Sequence, residues 1–391
     1  MALRIVIDVR CIRDFGIGTY IRNLVRSLSA IDPVNHYTLI TGKGDVDPEL
    51  TRLGANFELA PFRPPDGRLW SYLAFPLFVR GLKADLIHIP LNDVPFGVPD
   101  PYIVTIHDMG SLLFGKDQQL KNNFRLSRFR RGLAKAARVI AVSNATRRDV
   151  ETLIGVPPSR IRTIYNAPDP AFGEPNSAPI ACVDERLYEY PPDLQRILDR
   201  YQISYPFLLY VGRTNPQKNI SRLVEAFAVL RGELAADPVY ADLRLIIIGD
   251  EISKYPYLRH AVLKSRVQES VRFLGFVPIE TLRVFYQLAA AFVFPSLYEG
   301  FGLPPLEAMA CGTPVVASNV SALPEVVGDA ALVVNPENVF DIARGIREVL
   351  QNRELRGNMV ARGFEQVKRF SWERTAREVL ATYQEVADSQ R

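Results

Sequence analysis

The sequence predicts an α/β protein built from two doubly wound parallel sheets that face each other across a cleft. Three observations carry that prediction. Short β-branched runs alternate with longer helical patterns along the whole chain, the order expected of parallel βαβ units. The 391 residues suffice for two domains of about 100–200 residues, each able to bury its own core. Near the middle, residues 166–192 hold Pro168, Pro170, Pro175, Pro179, Pro191 and Pro192, and such a stretch suits an interdomain linker. The expected domains are 1–175 and 205–371, with a linker or insert over 176–204.

In the first half, strands are expected at 4–9, 37–41, 86–89, 102–106 and 139–142, with helices such as 19–28 and 121–137 between them. The second series runs through strands at 207–211, 243–249, 271–273, 291–294, 315–318 and 331–334. Its helices include 221–230, 279–289 and 305–311, and the tail from 372 to 387 reads as one more amphipathic helix. In doubly wound sheets, ligands sit beyond the strand C-termini, so loops at those ends are where chemistry is expected.

Composition narrows the function. With 48% apolar and 23% charged residues, disorder and fibrous repeats are excluded. Net charge is +4, from 47 basic and 43 acidic residues, which argues against wholesale coating of nucleic acid. The first 180 residues carry 23 Lys/Arg against 17 Asp/Glu (+6), and the remainder 24 against 26 (−2), a polarity that suits an anionic partner for the first half. Cys11, Cys182 and Cys311 are sparse, odd in number and without metal-ligand spacing, as in a reducing cytosol. The opening MALRIVIDVR has charges among its apolar residues and reads as a strand rather than a signal-peptide core. The longest apolar run, 284–294, is broken at Gln287, closed by Pro295, and too short to span a bilayer. The expectation is a cytoplasmic protein, at most peripheral to the inner face of the plasma membrane.

The strongest chemical signal is SLYEGFGLPPLEAMACGTPVVAS, residues 296–318. A strand ends at Pro295, a glycine-bearing loop follows, and Pro304 and Pro305 can open a helix because proline is tolerated in the first turn. Phe301, Gly302 and Leu303 then lie at the helix start, where backbone N–H groups and the dipole favour a phosphate. Glu299 precedes that site and Glu307 follows eight residues later, where a carboxylate can accept hydrogen bonds from sugar hydroxyls. Alternatively, Glu307 simply complements the helix dipole. The second signal, VGRTNPQKNI at 211–220, places Arg213 and Lys218 five residues apart on a strand-to-helix loop. Two cations there suit a departing diphosphate; a solvated basic loop is the plainer alternative.

In the first half, FGIGTY at 15–20 follows the first strand, and Gly16 and Gly18 permit a tight turn and close backbone approach to a ligand. A pair of turn glycines would look the same. Asp8, Arg10 and Arg13 add polar groups at that strand end. VTIHDMG puts His107 and Asp108 at another strand end, where a histidine titrating near neutrality could hydrogen-bond a substrate hydroxyl; a structural histidine is the alternative. Asp45 and Asp47 resemble an Asp-x-Asp metal clamp but lie in a polar turn remote from the other motifs and read as a chance match. No zinc spacing and no G-x-x-x-x-G-K-[ST] loop occurs. The stretch 121–139 carries Lys121, Arg125, Arg128, Arg130, Arg131, Lys135 and Arg138 among apolar residues, and suits either anionic lipid headgroups or a solvated helix face.

At these residues the chain resembles a retaining glycosyltransferase of family four, the group 1 glycosyl transferases. The resemblance covers nearly the whole chain and centres on Glu299 and Glu307 within EGFGLPPLEAMACGTPVVAS. It implies a GT-B fold whose first domain recognises the acceptor and whose second binds a nucleotide-sugar donor, with the helix 372–387 crossing back onto the first domain. Glu307 is implied to hold the ribose, Glu299 to lie beside the transferred sugar, and Arg213, Lys218 and the amides of Phe301, Gly302 and Leu303 to bind the diphosphate. His107 is implied near the reactive carbon, Gly18 near the phosphates, and Asp108 and Gly16 as shapers of the pocket. Neither a metal nor another cofactor is implied. FGIGTY, HDMG and VGRTNPQKN are most similar to bacterial mannosyltransferases of polysaccharide and O-antigen synthesis, so GDP-mannose is the expected donor and a glycan or lipid-linked saccharide the expected acceptor. UDP-glucose or UDP-N-acetylglucosamine is the alternative donor. YNAPDP at 165–170 departs from the family's common Asn-Gly-Val-Asp, and the motifs do not account for the insert near 180–199. A GT-B phosphorylase, a nucleotide-sugar epimerase and a sugar-binding protein are the rival functions.

Overall fold

Two parallel sheets organise the chain, and each has the strand order of a doubly wound fold. The computed structural model describes residues 2–42, 47–63, 68–91, 94, 97–114, 120–173 and 191–390. These fall into two compact units, one of Met1–Ala167 with Phe370–Arg391, the other of Pro168–Arg369. The division at 167/168 lies upstream of the expected boundary at 175.

The first unit alternates β1 (Arg4–Asp8), α1 (Ile17–Ile31), β2 (His36–Thr41), β3 (Phe57–Pro61), α2 (Arg68–Gly81), β4 (Leu86–Ile89) and β5 (Tyr102–Ile106). It continues with α3 (Gly110–Leu113), α4 (Leu120–Lys135), β6 (Arg138–Ala141), α5 (Asn144–Asp149) and β7 (Ile161–Thr163). The sheet order is β3-β2-β1-β4-β5-β6-β7, and every pairing is parallel. Central strands are apolar on both faces because helices cover both, as Ile5, Val6 and Ile7 on β1 show. The edge strands β3 and β7 were not expected from the sequence. β3 is only half-buried and ends on Pro61, and β7 has three residues, so neither carries the continuous apolar run that marks an interior strand.

The second unit runs through α6 (Pro192–Tyr201), β8 (Phe207–Gly212), α7 (Ile220–Glu233), β9 (Arg244–Gly249), α8 (Pro256–Lys264), β10 (Val271–Gly275) and α9 (Ile279–Leu288). Then follow β11 (Ala291–Phe294), α10 (Leu303–Ala310), β12 (Val315–Ser318), α11 (Leu323–Val327), β13 (Ala331–Val334), α12 (Val339–Gln351) and α13 (Arg353–Val367). Its sheet order is β10-β9-β8-β11-β12-β13, parallel throughout. α6 occupies part of the expected linker; residues 174–190 of that stretch lie outside the described residues. α10 starts two residues before the expected 305, so Pro304 and Pro305 both sit in its first turn.

The last helix, α14 (Trp372–Ser389), belongs to the first unit and packs along α1. Its Trp372, Ala376, Val379, Tyr383 and Val386 are buried in one cluster with Ile5, Ile7, Leu24 and Leu28. The spacing of those five residues, at three and four, is the apolar stripe of a core-facing helix.

Candidate active site

In the second unit the strand order reverses between β8 and β11, which pair at Leu208–Ala291 and Leu209–Phe292. That pairing brings the loops after both strands together, although their motifs lie 81 residues apart in sequence. The Leu297 N–H donates to the Gln217 carbonyl at 2.8 Å, joining the loops through their backbones. Beside this link, Lys218 Nζ lies 2.7 Å from both carboxylate oxygens of Glu299. Both side chains are largely shielded, the lysine 18% and the glutamate 9% exposed. A pair so enclosed fixes each partner's position, since removing either strands a charge in a poorly solvated place.

The surrounding backbone is held as firmly. The Ser321 hydroxyl donates to the Glu299 carbonyl (2.6 Å) and accepts from the Glu299 N–H (3.2 Å). Asn219, next to Lys218, has a left-handed φ of 62°, and its Nδ2 donates to the carbonyls of Pro295 (3.0 Å) and Pro336 (2.7 Å). Arg213 stands exposed at the end of β8, its carbonyl accepting from the Tyr210 hydroxyl at 2.9 Å. Asp250 accepts from the Thr214 N–H and the Tyr255 hydroxyl, and the Tyr257 hydroxyl donates to the Thr214 carbonyl.

Gly302 caps α10 with φ 117°, a backbone conformation that favours glycine, and a Cβ there would also press on the Leu323 side chain at 2.7 Å. Pro304 and Pro305 have no N–H, which leaves the amides of Phe301, Gly302 and Leu303 as the donors leading into the helix. Four residues on from Leu303, Glu307 accepts from the Tyr286 hydroxyl of α9 at 3.0 Å. Burial pushes its carboxyl up to about 7; that hydrogen bond opposes the rise and Asp169 adds to it. Glu307 is therefore a hydrogen-bonding group set apart from the Lys218–Glu299 pair.

The first unit holds its own set at the ends of β1, β4 and β5. His107 directly follows β5, is buried, and its Nε2–H donates to the Pro90 carbonyl at 3.1 Å. Burial holds its pKa down to about 4, against the opposing effects of Pro90 and Asp108. The ring is thus neutral rather than titrating near neutrality as expected, and this tautomer presents Nδ1 as an acceptor. Asp108 Oδ1 accepts from the Gly110 N–H at 2.8 Å, shaping the turn into α3. A Cβ on Gly18 would lie 2.3 Å from the Ile12 carbonyl oxygen, so the close approach at this glycine is made by the chain itself. Gly16 has open space around its Cβ position. Asp8 is fully buried and paired with Arg10 at 2.7 Å.

Asp47 caps a short helix through the Glu49 N–H at 3.0 Å, in keeping with a chance match to the metal clamp, whereas Asp45 lies outside the described residues. One further expectation changes. Arg138 is not on the basic helix: it opens β6 and pairs with Glu385 of α14 at 2.6 Å. On α4, the side chains of residues 120–125 and 128 lie outside the described set. Among the described residues no group of three or more His, Cys, Asp and Glu is arranged to hold a metal ion, and no helix is long and apolar enough to cross a membrane.

Residues 200–366 match the family model of glycosyl transferases group 1, and residues 16–172 that of glycosyltransferase family 4. The chain is 31% identical to the O-antigen chain mannosyltransferase B of Escherichia coli, over 94% of this chain and 95% of that protein. The chain belongs to the family-four glycosyltransferases. It is also 31% identical to the serotype-specific mannosyltransferase WbdA of Escherichia coli over 74% of this chain, a match that spans 34% of that longer protein. Among solved structures, sucrose-phosphate synthase from Thermosynechococcus elongatus superposes with a TM-score of 0.75 at 22% identity, covering 99% of this chain and 100% of that one. The fold of this glycosyltransferase is GT-B. A nucleotide-sugar donor and a glycan acceptor are what its family uses.

Several residues that organise the site were not singled out by the sequence. Asn219 lies inside the QKN motif, and an asparagine preceding a helix was its available signal. Tyr286, Ser321 and Asp250 carry no local signal, since each acts on a residue distant in sequence.

Proposed function

We propose that this glycosyltransferase moves a mannosyl residue from GDP-mannose to a glycan acceptor with retention at the anomeric carbon. The observation that carries the reading is the enclosed Lys218–Glu299 pair at the β8/β11 switch, in a chain similar along nearly its full length to a mannosyltransferase. Lys218 and Arg213 meet the diphosphate together with the amides of Phe301, Gly302 and Leu303. Because Glu299 already balances Lys218, the cation is held in place before any ligand arrives, and negative charge growing on the leaving diphosphate meets a preoriented field. Glu307 takes the ribose hydroxyls and Glu299 lies beside the transferred sugar.

His107 accepts a hydrogen bond from the sugar near its reactive carbon, with Asp108, Gly16 and Gly18 shaping the first unit's contribution. Both Glu299 oxygens are bound to Lys218, which disfavours a covalent glycosyl-enzyme. The reading is therefore departure and attack on one face through an oxocarbenium-like state, the diphosphate leaving as the acceptor oxygen bonds to the anomeric carbon. Arg131 and Lys135, exposed on α4, suit an anionic bilayer surface carrying a lipid-linked acceptor at the cytoplasmic leaflet.

The test is a donor panel of GDP-mannose, UDP-glucose and UDP-N-acetylglucosamine with a mannose-terminated acceptor, read as nucleotide released and glycoside formed. GDP and a new mannoside are expected, and Lys218→Ala and Glu299→Gln should each lower turnover by two orders of magnitude or more, about 3 kcal/mol of barrier. Selective use of a UDP-sugar would replace the mannosyl reading. Mannose 1-phosphate formation or C2 inversion would replace transfer itself.

A further inference from the structure

Beneath His107 runs a buried polar chain that spans the first unit's sheet. His88 on β4 is fully buried. Its Nδ1 lies 2.6 Å from the Tyr383 hydroxyl of α14, and its Nε2 lies 2.7 Å from Thr105 Oγ1 on β5. Thr105 Oγ1 in turn lies 3.2 Å from the Tyr20 hydroxyl of α1. The Tyr20 ring stands edge-on to the His107 imidazole, centroids 4.9 Å apart at 77°, and Trp372, the first residue of α14, packs on the same tyrosine at 6.0 Å.

The strand periodicity explains why this chain leads to His107. Thr105 is two residues before His107 on β5, and His88 is two residues before Pro90, whose carbonyl holds the His107 ring. Residues two apart on a strand share a face, so the pair that is hydrogen-bonded in the interior lies under the pair that meets at the strand ends. Burial holds His88 neutral, its pKa pushed down to about 3. A neutral imidazole has one donor and one acceptor, so the bonds on its two sides are coupled: if Nδ1 donates to Tyr383, Nε2 accepts from Thr105, and the reverse.

We propose that Tyr383 is a positioning residue for His107, acting from the C-terminal helix through His88, Thr105 and Tyr20. The chemistry of transfer depends on sub-ångström placement of such a ring, and the 18-residue α14 supplies both ends of the clamp on Tyr20: Trp372 against its ring and Tyr383 through its hydroxyl partners. The inference rests on the reading of His107 as a group that touches the donor sugar, and the experiment separates the two.

The protein has four histidines, so 15N-histidine labelling yields a small set of imidazole signals, with that of His107 assigned by loss in His107→Gln. Tyr383→Phe deletes one hydroxyl and keeps the ring. In the full chain it should shift the His107 signal and lower kcat on the order of tenfold, with the donor KM within twofold; Thr105→Val should do the same, whereas Thr105→Ser should restore the wild-type signal and rate. A Tyr383→Phe protein with a lower melting temperature but an unmoved His107 signal would overturn the proposal, since a role confined to packing predicts that result. Full turnover in His107→Ala would instead defeat the reading of His107, whatever the spectra show.

Discussion

At the scale of single residues, the candidate site is built from side chains held in enclosed places. Lys218 and Glu299 neutralise one another in a shielded place, so each is useful to a ligand only in the geometry that the other imposes. Glu307 behaves differently. Its carboxyl is pushed up to about 7 by burial, above the ordinary glutamate value near 4.3 that it regains on unfolding. A folded pKa above the unfolded one means that folding disfavours the ionised form. Stability from this group is therefore full below about pH 4.3 and is lost as pH rises through about 7. Glu307→Gln should then raise the melting temperature at pH 8 while changing it little at pH 4.5, and should weaken nucleotide binding. Equal differences at both pH values would refute the shifted carboxyl.

At the scale of elements, parallel pairing converts distant sequence motifs into one site. The β8–β11 pairing aligns two loops, and the β4–β5 pairing brings the His107 ring within reach of the Pro90 carbonyl. Interior strands announce themselves by continuous apolar runs, while the edge strands β3 and β7 do not, because an edge strand needs less burial. Similarly, the basic stretch near 121–138 reads as one helix, yet Arg138 belongs to β6 and is claimed by Glu385 of α14. That helix contributes a full apolar stripe to the first unit's core. Trp372, Ala376, Val379, Tyr383 and Val386 are buried in its core, and burial of a large apolar side chain contributes about 1.5–3 kcal/mol. Together they approach the 5–15 kcal/mol that holds a typical domain folded, by order of magnitude. Truncation after residue 369 should accordingly give a protein that aggregates or loses its cooperative melting transition; a soluble truncated protein with the wild-type transition would contradict this.

At the scale of the whole molecule, the charged residues proposed to hold the nucleotide, Arg213, Lys218 and Glu307, lie in the second unit, while His107 and Gly18 lie in the first. Nucleotide binding and turnover should therefore separate by mutation. A bound nucleotide stabilises the folded state by mass action, about 2.7 kcal/mol when present at a hundred times its Kd. GDP should raise the melting temperature of the wild type and of His107→Ala alike, and should fail to do so in Lys218→Ala, as followed by differential scanning fluorimetry. Loss of the GDP effect in His107→Ala would place part of the nucleotide site elsewhere. Net charge is a poor guide at this scale: the +6 half of the chain is not the half proposed to hold the diphosphate, because a few placed groups can hold an anion without a surplus of charge.

The sequence by itself determined the fold class, the two series of strands apart from the edge strands β3 and β7, and the loops that carry Glu299, Glu307, Arg213, Lys218 and His107, because those signals are local: apolar runs, prolines at a helix start, glycines at a turn. Only the tertiary structure decided that Lys218 closes on Glu299, that Tyr286 meets Glu307, that His107 is held neutral, and that Tyr383 reaches His88 across 295 residues of chain. Those outcomes depend on which strands pair and which helix covers them. Burial, the quantity that sets protonation and ion-pair geometry, is a property of the packed chain rather than of any segment of it.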